Sequence, residues 1–385
     1  AVAFASSGAK IYLNGVPGSP TTYSISTAIA LTKSLTFDAV VPFGAVLSRS
    51  ANVKMFDLTS GASGITLTFG ALELNGGGYA SDIVVLADTA ATVTISFNGT
   101  KARNWAGRVV FGSGSATKCA LFVTDIDWST SNAAGAITMK ALTAGGVDGL
   151  NGSISITGHN DASQALVEIG HVSTSPTFQW VNPEVTCLVT ATTGSDTHEA
   201  MVLRNVKDWR LYGGRLEVRS TVATTRNGCA FQCSTWAPAL DSSGGLCVGT
   251  EFISGVDAGG YCIKVGEEGA TDNGSSGMLN GIVFRNFICR GIGLAASVGQ
   301  LHGAFAGSYC NVIFEKFWIE NVGFGALAKG TDGAIWRHGV IIDAYVSTIA
   351  IKGAKNTKFA RLTALQRVGL GRFWQSSIND GVTPN

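Results

Sequence analysis

One signature recurs along the second half of this chain: an apolar residue, two polar residues, then another apolar residue. It occurs at Val206–Trp209, Phe284–Phe287, Phe314–Phe317 and Phe359–Leu362, with looser copies at Trp336–Val340 and Gly249–Phe252. The second polar residues are Asp208, Glu251, Asn286, Lys316, His338 and Arg361, separated by 43, 35, 30, 22 and 23 residues. A shortest interval with longer insertions is the mark of a repeat whose unit is one supersecondary turn.

Two structures could carry the signature. Phe314, Phe317 and Trp318 fit the i, i+3, i+4 spacing of a helix face. The runs are short, however, rich in Val, Ile, Phe and Trp, and bounded by Gly and Asn, which favours strands. Composition agrees: 50 glycines in 385 residues, 14% charged residues and a mean hydropathy of +0.26 leave too few Lys, Glu and Arg for a helical surface.

If the polar doublet is a corner, period-2 alternation on either side points Val312, Phe314, Phe317 and Ile319 inward. The same rule selects Phe284, Phe287 and Cys289, then Phe359, Leu362 and Ala364, then Val206, Trp209 and Leu211. Short runs at 200–205, 229–234, 261–266, 303–308, 325–330 and 348–354 supply a third strand per coil. The predicted fold is all-β: a right-handed parallel β-helix with three strands per coil, in one elongated domain. Residues 1–34 are expected to be an attachment or capping segment, 35–375 the β-helix and 376–385 a tail. The coil register before residue 160 stays open.

At this point the chain resembles the pectate-lyase-like β-helix superfamily and, within it, bacteriophage tailspikes and related virion spikes, over residues 35–375. The resemblance implies a virion protein made in the host cytoplasm, homotrimeric, touching other virion proteins and a bacterial surface polysaccharide. No catalytic motif of a named lyase or hydrolase family is matched, so whether the chain is an enzyme stays open.

Outward positions can be read by the same alternation. Val283, Ile313 and Ile335 precede their corners and Ile288, Trp318 and Val340 follow them, giving an apolar stripe over three coils. Soluble monomers rarely leave such a patch uncovered, so the stripe is the expected trimer interface. Trp318 has a second use, as a platform for a sugar ring, and the interface is preferred.

Glycan cleavage needs two carboxylates at a set separation. Asp208 and Glu251, aligned in the corner column, form one candidate pair. Asp125 and Asp127 form another, two apart on a predicted strand, with Trp105 and Trp128 as sugar platforms. Solvated charge on strand ends is the plainer reading of both pairs.

Composition sets further expectations. The net charge is +1 without runs of like charge, so neither nucleic acid nor an anionic membrane is expected as a partner. The apolar stretch 31–47 is broken by Lys33, Asp38 and Pro42, short of the roughly 18 residues of a membrane span. The opening residues lack the basic and long apolar regions of a signal peptide, although a trimmed product would look the same. Eight cysteines lie mostly in apolar runs and are expected to be reduced core residues. Cys229 and Cys233 lack a second Cys or His pair, and the histidines show no ligand spacing, so no metal and no cofactor are expected.

The expected function is therefore a virion spike or tail fibre that binds a host surface polysaccharide. A polysaccharide depolymerase, lyase or glycoside hydrolase, on the same body is the alternative. A purely structural virion component, such as a capsid decoration or neck protein, is the third reading.

Overall fold

A computed structural model describes residues 5–377 except 59–63, 87–91, 113–117, 141, 149–151, 159–164, 171–175, 190–197, 221–225, 236–241, 256–257, 267–278, 293–300, 309 and 367–371. Among the described residues all regular structure is strand, and every pairing between named strands is parallel. Up to Ala258–Val265, each strand pairs with the one three positions later in the chain. Ala9–Leu13 pairs with Leu35–Ala39, Thr21–Ile25 with Ala45–Arg49, and Ile29–Ala30 with Phe56–Leu58. Three strands thus close one coil, and three parallel sheets run along the body. This is the predicted parallel β-helix.

Among the described residues thirteen coils stack in this way. The first ten each contain three separate strands. In the eleventh and twelfth, Cys310–Lys329 and Ile335–Lys352 run through all three sheets as continuous strands, and the last coil comprises Lys358–Leu365 and Arg372–Ser377. At a strand spacing of about 4.8 Å the stack is roughly 58 Å long. The coils begin at Ala9, inside the stretch 1–34 set aside from sequence as attachment or cap.

One in-register column of the first sheet passes through every coil: Ile11, Phe37, Phe69, Phe97, Val123, Val147, Trp180, Leu211, Cys247, Phe284, Phe314, Trp336 and Phe359. Aromatic rings within it stack on one another. Phe284 and Phe314 lie 5.3 Å apart at 24°, Phe314 and Trp336 5.2 Å at 23°, and Trp336 and Phe359 4.8 Å at 14°. Burial of such a column along the axis supplies the main favourable term in folding.

The corners between first and second sheets explain the polar doublet. Asn286, Lys316, His338 and Arg361 have φ of 55°, 53°, 57° and 54°, the left-handed region that turns the chain sharply. They stack in register with Gly249, Gly213 and Asn182 below them, while Asp125 and Gly99 form the corners of earlier coils. Corner amides donate to the next coil, as Gly249 N–H does to Arg285 O at 3.0 Å and Asn286 N–H to Glu315 O at 3.2 Å. The bend therefore leaves no orphan donor there.

Two alignments from sequence are corrected. In the coil of Asp208 the corner is Gly213, and Asp208, at φ 48°, sits in a bulge near the start of Lys207–Tyr212. In the next coil Gly249 takes the corner, and Glu251 lies two residues beyond it. Where glycine supplies the left-handed residue, a search for polar doublets misses the bend.

Candidate functional site

The outward column just after these corners runs the full length of the second sheet. It comprises Thr22, Val46, Glu73, Lys101, Asp127, Ser153, Glu184, Arg215, Glu251, Ile288, Trp318, Val340 and Thr363. Because side chains alternate faces and successive coils stand one strand spacing apart, chemical groups recur at about 4.8 Å along it. The column has two halves: charged and polar from Glu73 to Glu251, apolar from Ile288 to Val340.

In the charged half, carboxylates and guanidinium groups interleave. Arg103 pairs with Asp127 at 2.5 Å, Glu217 pairs with both Arg215 and Arg219, and Arg290 bridges Glu251 at 3.3 Å and Glu320 at 3.0 Å. Glu184 and Glu251 flank Arg215, two coils apart. Desolvation raises the Glu184 pKa, Arg215 opposes that rise, and the negative charges of Glu251 and Glu217 add to it. These three glutamates form the acidic cluster of this face.

The apolar half confirms the outward register read from sequence. Val283, Ile313 and Ile335 occupy one outward column and Ile288, Trp318 and Val340 the other. Five of the six are partly exposed and Trp318 is 39% exposed, its indole N–H donating to Glu320 at 2.8 Å. Between the two columns, Glu315 accepts from Arg285 at 2.5 Å and Arg337 at 2.9 Å. Burial pushes the Glu315 carboxyl upward, and the two arginines outweigh it, leaving its pKa below the ordinary value.

Several predicted site residues lie elsewhere. Asp208 and Glu251 do not pair: Asp208 packs beside Gly244 in the first sheet, and Glu251 stands over Arg215 in the second. Asp125 and Asp127 do not share a strand, because Asp125 is a corner residue at φ 49° and the strand Asp127–Thr130 begins after it. Trp105 and Trp128 are 1% and 0% exposed and cannot serve as sugar platforms. Trp105 donates to Gly135 O at 2.8 Å, and Trp128 meets Phe97 edge-on at 5.0 Å in the core. All eight cysteines are buried, and none is joined to another by a disulfide. Among the described residues no cluster of His, Cys, Asp and Glu could hold a metal ion.

Sequence reasoning missed Glu184, Glu217 and their arginines. The signal lay in the repeat itself, since correct corner assignment places Glu184, Arg215 and Glu251 in one column.

No family model matches the chain, and no curated protein matches it. Among solved structures it is similar to PfbA, a surface adhesin of Streptococcus pneumoniae, with a TM-score of 0.41 and 10% identity over 91% of this chain and 89% of that one. At that level the likeness decides neither ligand nor partner, and the fold rests on the strand register.

Proposed function

We propose that this chain is the body of a β-helical spike of the virion type that binds an extended polysaccharide of a bacterial surface along the second sheet. The carrying observation is the charged half of the outward column. Lys101, Asp127, Glu184, Arg215 and Glu251 put donors and acceptors at regular rungs on one face, so successive subsites recur with the backbone as sugar units recur in a polymer. The apolar half, with Trp318 at its centre, serves as the contact between copies in a homotrimer.

A second reading is favoured by a specific observation. Two coils place Glu184 and Glu251 about 9.6 Å apart at the backbone, near the upper end of the spacing used by inverting glycosidases. The raised pKa of Glu184 suits a general acid and Glu251 a general base. On this reading the face cuts the polymer that it holds.

The test incubates purified protein with a panel of bacterial capsule polysaccharides and lipopolysaccharides, measuring binding, new reducing ends and the absorbance of unsaturated sugars. Binding without release, weakened at least tenfold in R215A, supports the binder. Release that is lost in E184Q and E251Q supports the depolymerase. Neither binding nor release leaves the structural virion component. For the trimer, light scattering should show a threefold drop in mass on replacing Ile313 and Trp318 by Asp, and an unchanged mass refutes the interface.

A further inference from the structure

Three large aromatic side chains are exposed among the described residues: Tyr12, Phe122 and Trp318. Trp318 stands between Ile288 and Val340 in the apolar stripe, and the first two coils, which hold Tyr12, also expose Val16, Val40 and Val41. Phe122 has different company. It points outward from Lys118–Thr124, flanked by the buried Leu121 and Val123, and is 46% exposed. Its described outward neighbours are Thr94, Ser96 and Asn98 on the preceding coil and Ala120 and Thr124 on its own strand. None of these carries a charge.

The column through Phe122 leaves space beside the ring. Ser96 precedes it in register, Gly146 follows it, and Gln179, which is exposed, comes next. Gly146 has no side chain, so on that side the next side chain of the column rises two coils away, about 9.6 Å at the backbone. Elsewhere in this body flat rings stack one coil apart, as Phe284 and Phe314 do at 5.3 Å. A ring taking the Gly146 rung would meet Phe122 in the same way.

The surroundings select the occupant. A protein partner needs an apolar core of several side chains, and one ring set among hydroxyl and amide groups does not supply it. A pyranose fits better, with a C–H face for the aromatic ring and hydroxyls at its rim for Ser96, Asn98 and Thr124. The uncharged rim favours a neutral sugar. Phe122 and Asp127 belong to one coil, so a polymer crossing the corner at Asp125 passes from the ring to the charged half of the second sheet.

We infer, on the polysaccharide-binding reading above, that Phe122 is the stacking platform for a neutral pyranose unit, seated on the first sheet over Gly146. The glycan site then extends around the corner.

The test measures binding of the same panel of capsule polysaccharides and lipopolysaccharides to the parent, F122A, F122W and R215A, with light scattering and circular dichroism on each. The expected result is a polysaccharide that F122A holds at least tenfold more weakly than the parent and that F122W holds as well as the parent, with mass and spectrum unchanged. Binding that R215A weakens and F122A leaves intact would overturn the platform alone. Equal loss in F122A and F122W, or a drop in mass in F122A, would mean a packing role or a contact between copies, and would overturn it too. No binding by the parent would defeat polysaccharide binding itself, and the platform with it.

Discussion

Replacing Lys316 isolates the corner, because its side chain is exposed and its φ is 53°. For an L residue the left-handed region costs about 1–2 kcal/mol, which glycine does not incur. Glycine gives back about 0.5–1 kcal/mol of that through the greater freedom of its unfolded chain. K316G should therefore be as stable as the parent or up to about 1 kcal/mol more so. K316V should lose at least about 1 kcal/mol, because a β-branched residue at positive φ is a genuine outlier. The Gly–Val gap is then about 2 kcal/mol. Thr363, an exposed outward position in Lys358–Leu365, provides the inverse case: there valine should exceed glycine by up to about 1 kcal/mol. With an unfolding entropy of roughly 2.1 cal/mol/K per residue, 2 kcal/mol shifts the melting midpoint of a 385-residue chain by about 2–3 °C. Circular dichroism melts at one scan rate resolve this, and matched rates remove the kinetic part of any irreversibility. If glycine ranks below valine at both 316 and 363, the corner argument is refuted.

Three further outcomes are expected. Among the described residues the indole N–H of Trp336 has no acceptor, whereas that of Trp105 donates to Gly135 O, so W105F should melt lower than W336F once the shared volume loss of about 1–2 kcal/mol is removed; equal melting would contradict the hydrogen bond. His302 is stacked between Tyr261 and Phe324, and burial, followed by Lys329 and Lys264, lowers its pKa to about 3. The unfolded chain then binds a proton that the native state refuses, so stability present above pH 6.5 is lost as pH falls toward 3. H302F should gain on the parent by up to about 1.4 kcal/mol per pH unit across that window in denaturant titrations, and parallel curves would contradict this. Finally, burial raises the thiols of Cys119, Cys247 and Cys310 to about 12, so a thiol reagent at pH 8 should label none of the eight cysteines in the native protein and all eight in denaturant.

The fold was legible because its corners repeat as a local pattern. Asn286, Lys316, His338 and Arg361 are all in left-handed conformations where polar doublets mark them, and Phe284, Phe314 and Phe359 share one interior column. Register failed where a second feature produced the same pattern. The bulge at Asp208 mimics a corner, while Gly213 and Gly249 make true corners without polar side chains. The acidic pair drawn from that alignment dissolved with it, and the cluster of Glu184, Glu217 and Glu251 appeared once the columns were set. Trp128 was misread against the alternation rule itself: flanked by Asp127 and Ser129 in one strand, it must face inward if Asp127 faces out. The outward placement of Val283, Ile313, Ile335, Ile288, Trp318 and Val340 depended only on positions beside correctly found corners, and the register agrees with it.

Spin labels on the outward column of the second sheet test the stacking directly. Pairing Glu73 with Arg215, Ile288 and Val340 spans five, seven and nine coils, and pulsed dipolar spectroscopy should give backbone separations of about 24, 34 and 43 Å. Distances that grow linearly with coil number bear out the parallel β-helix. Distances that plateau, or that fail to increase in that order, contradict it.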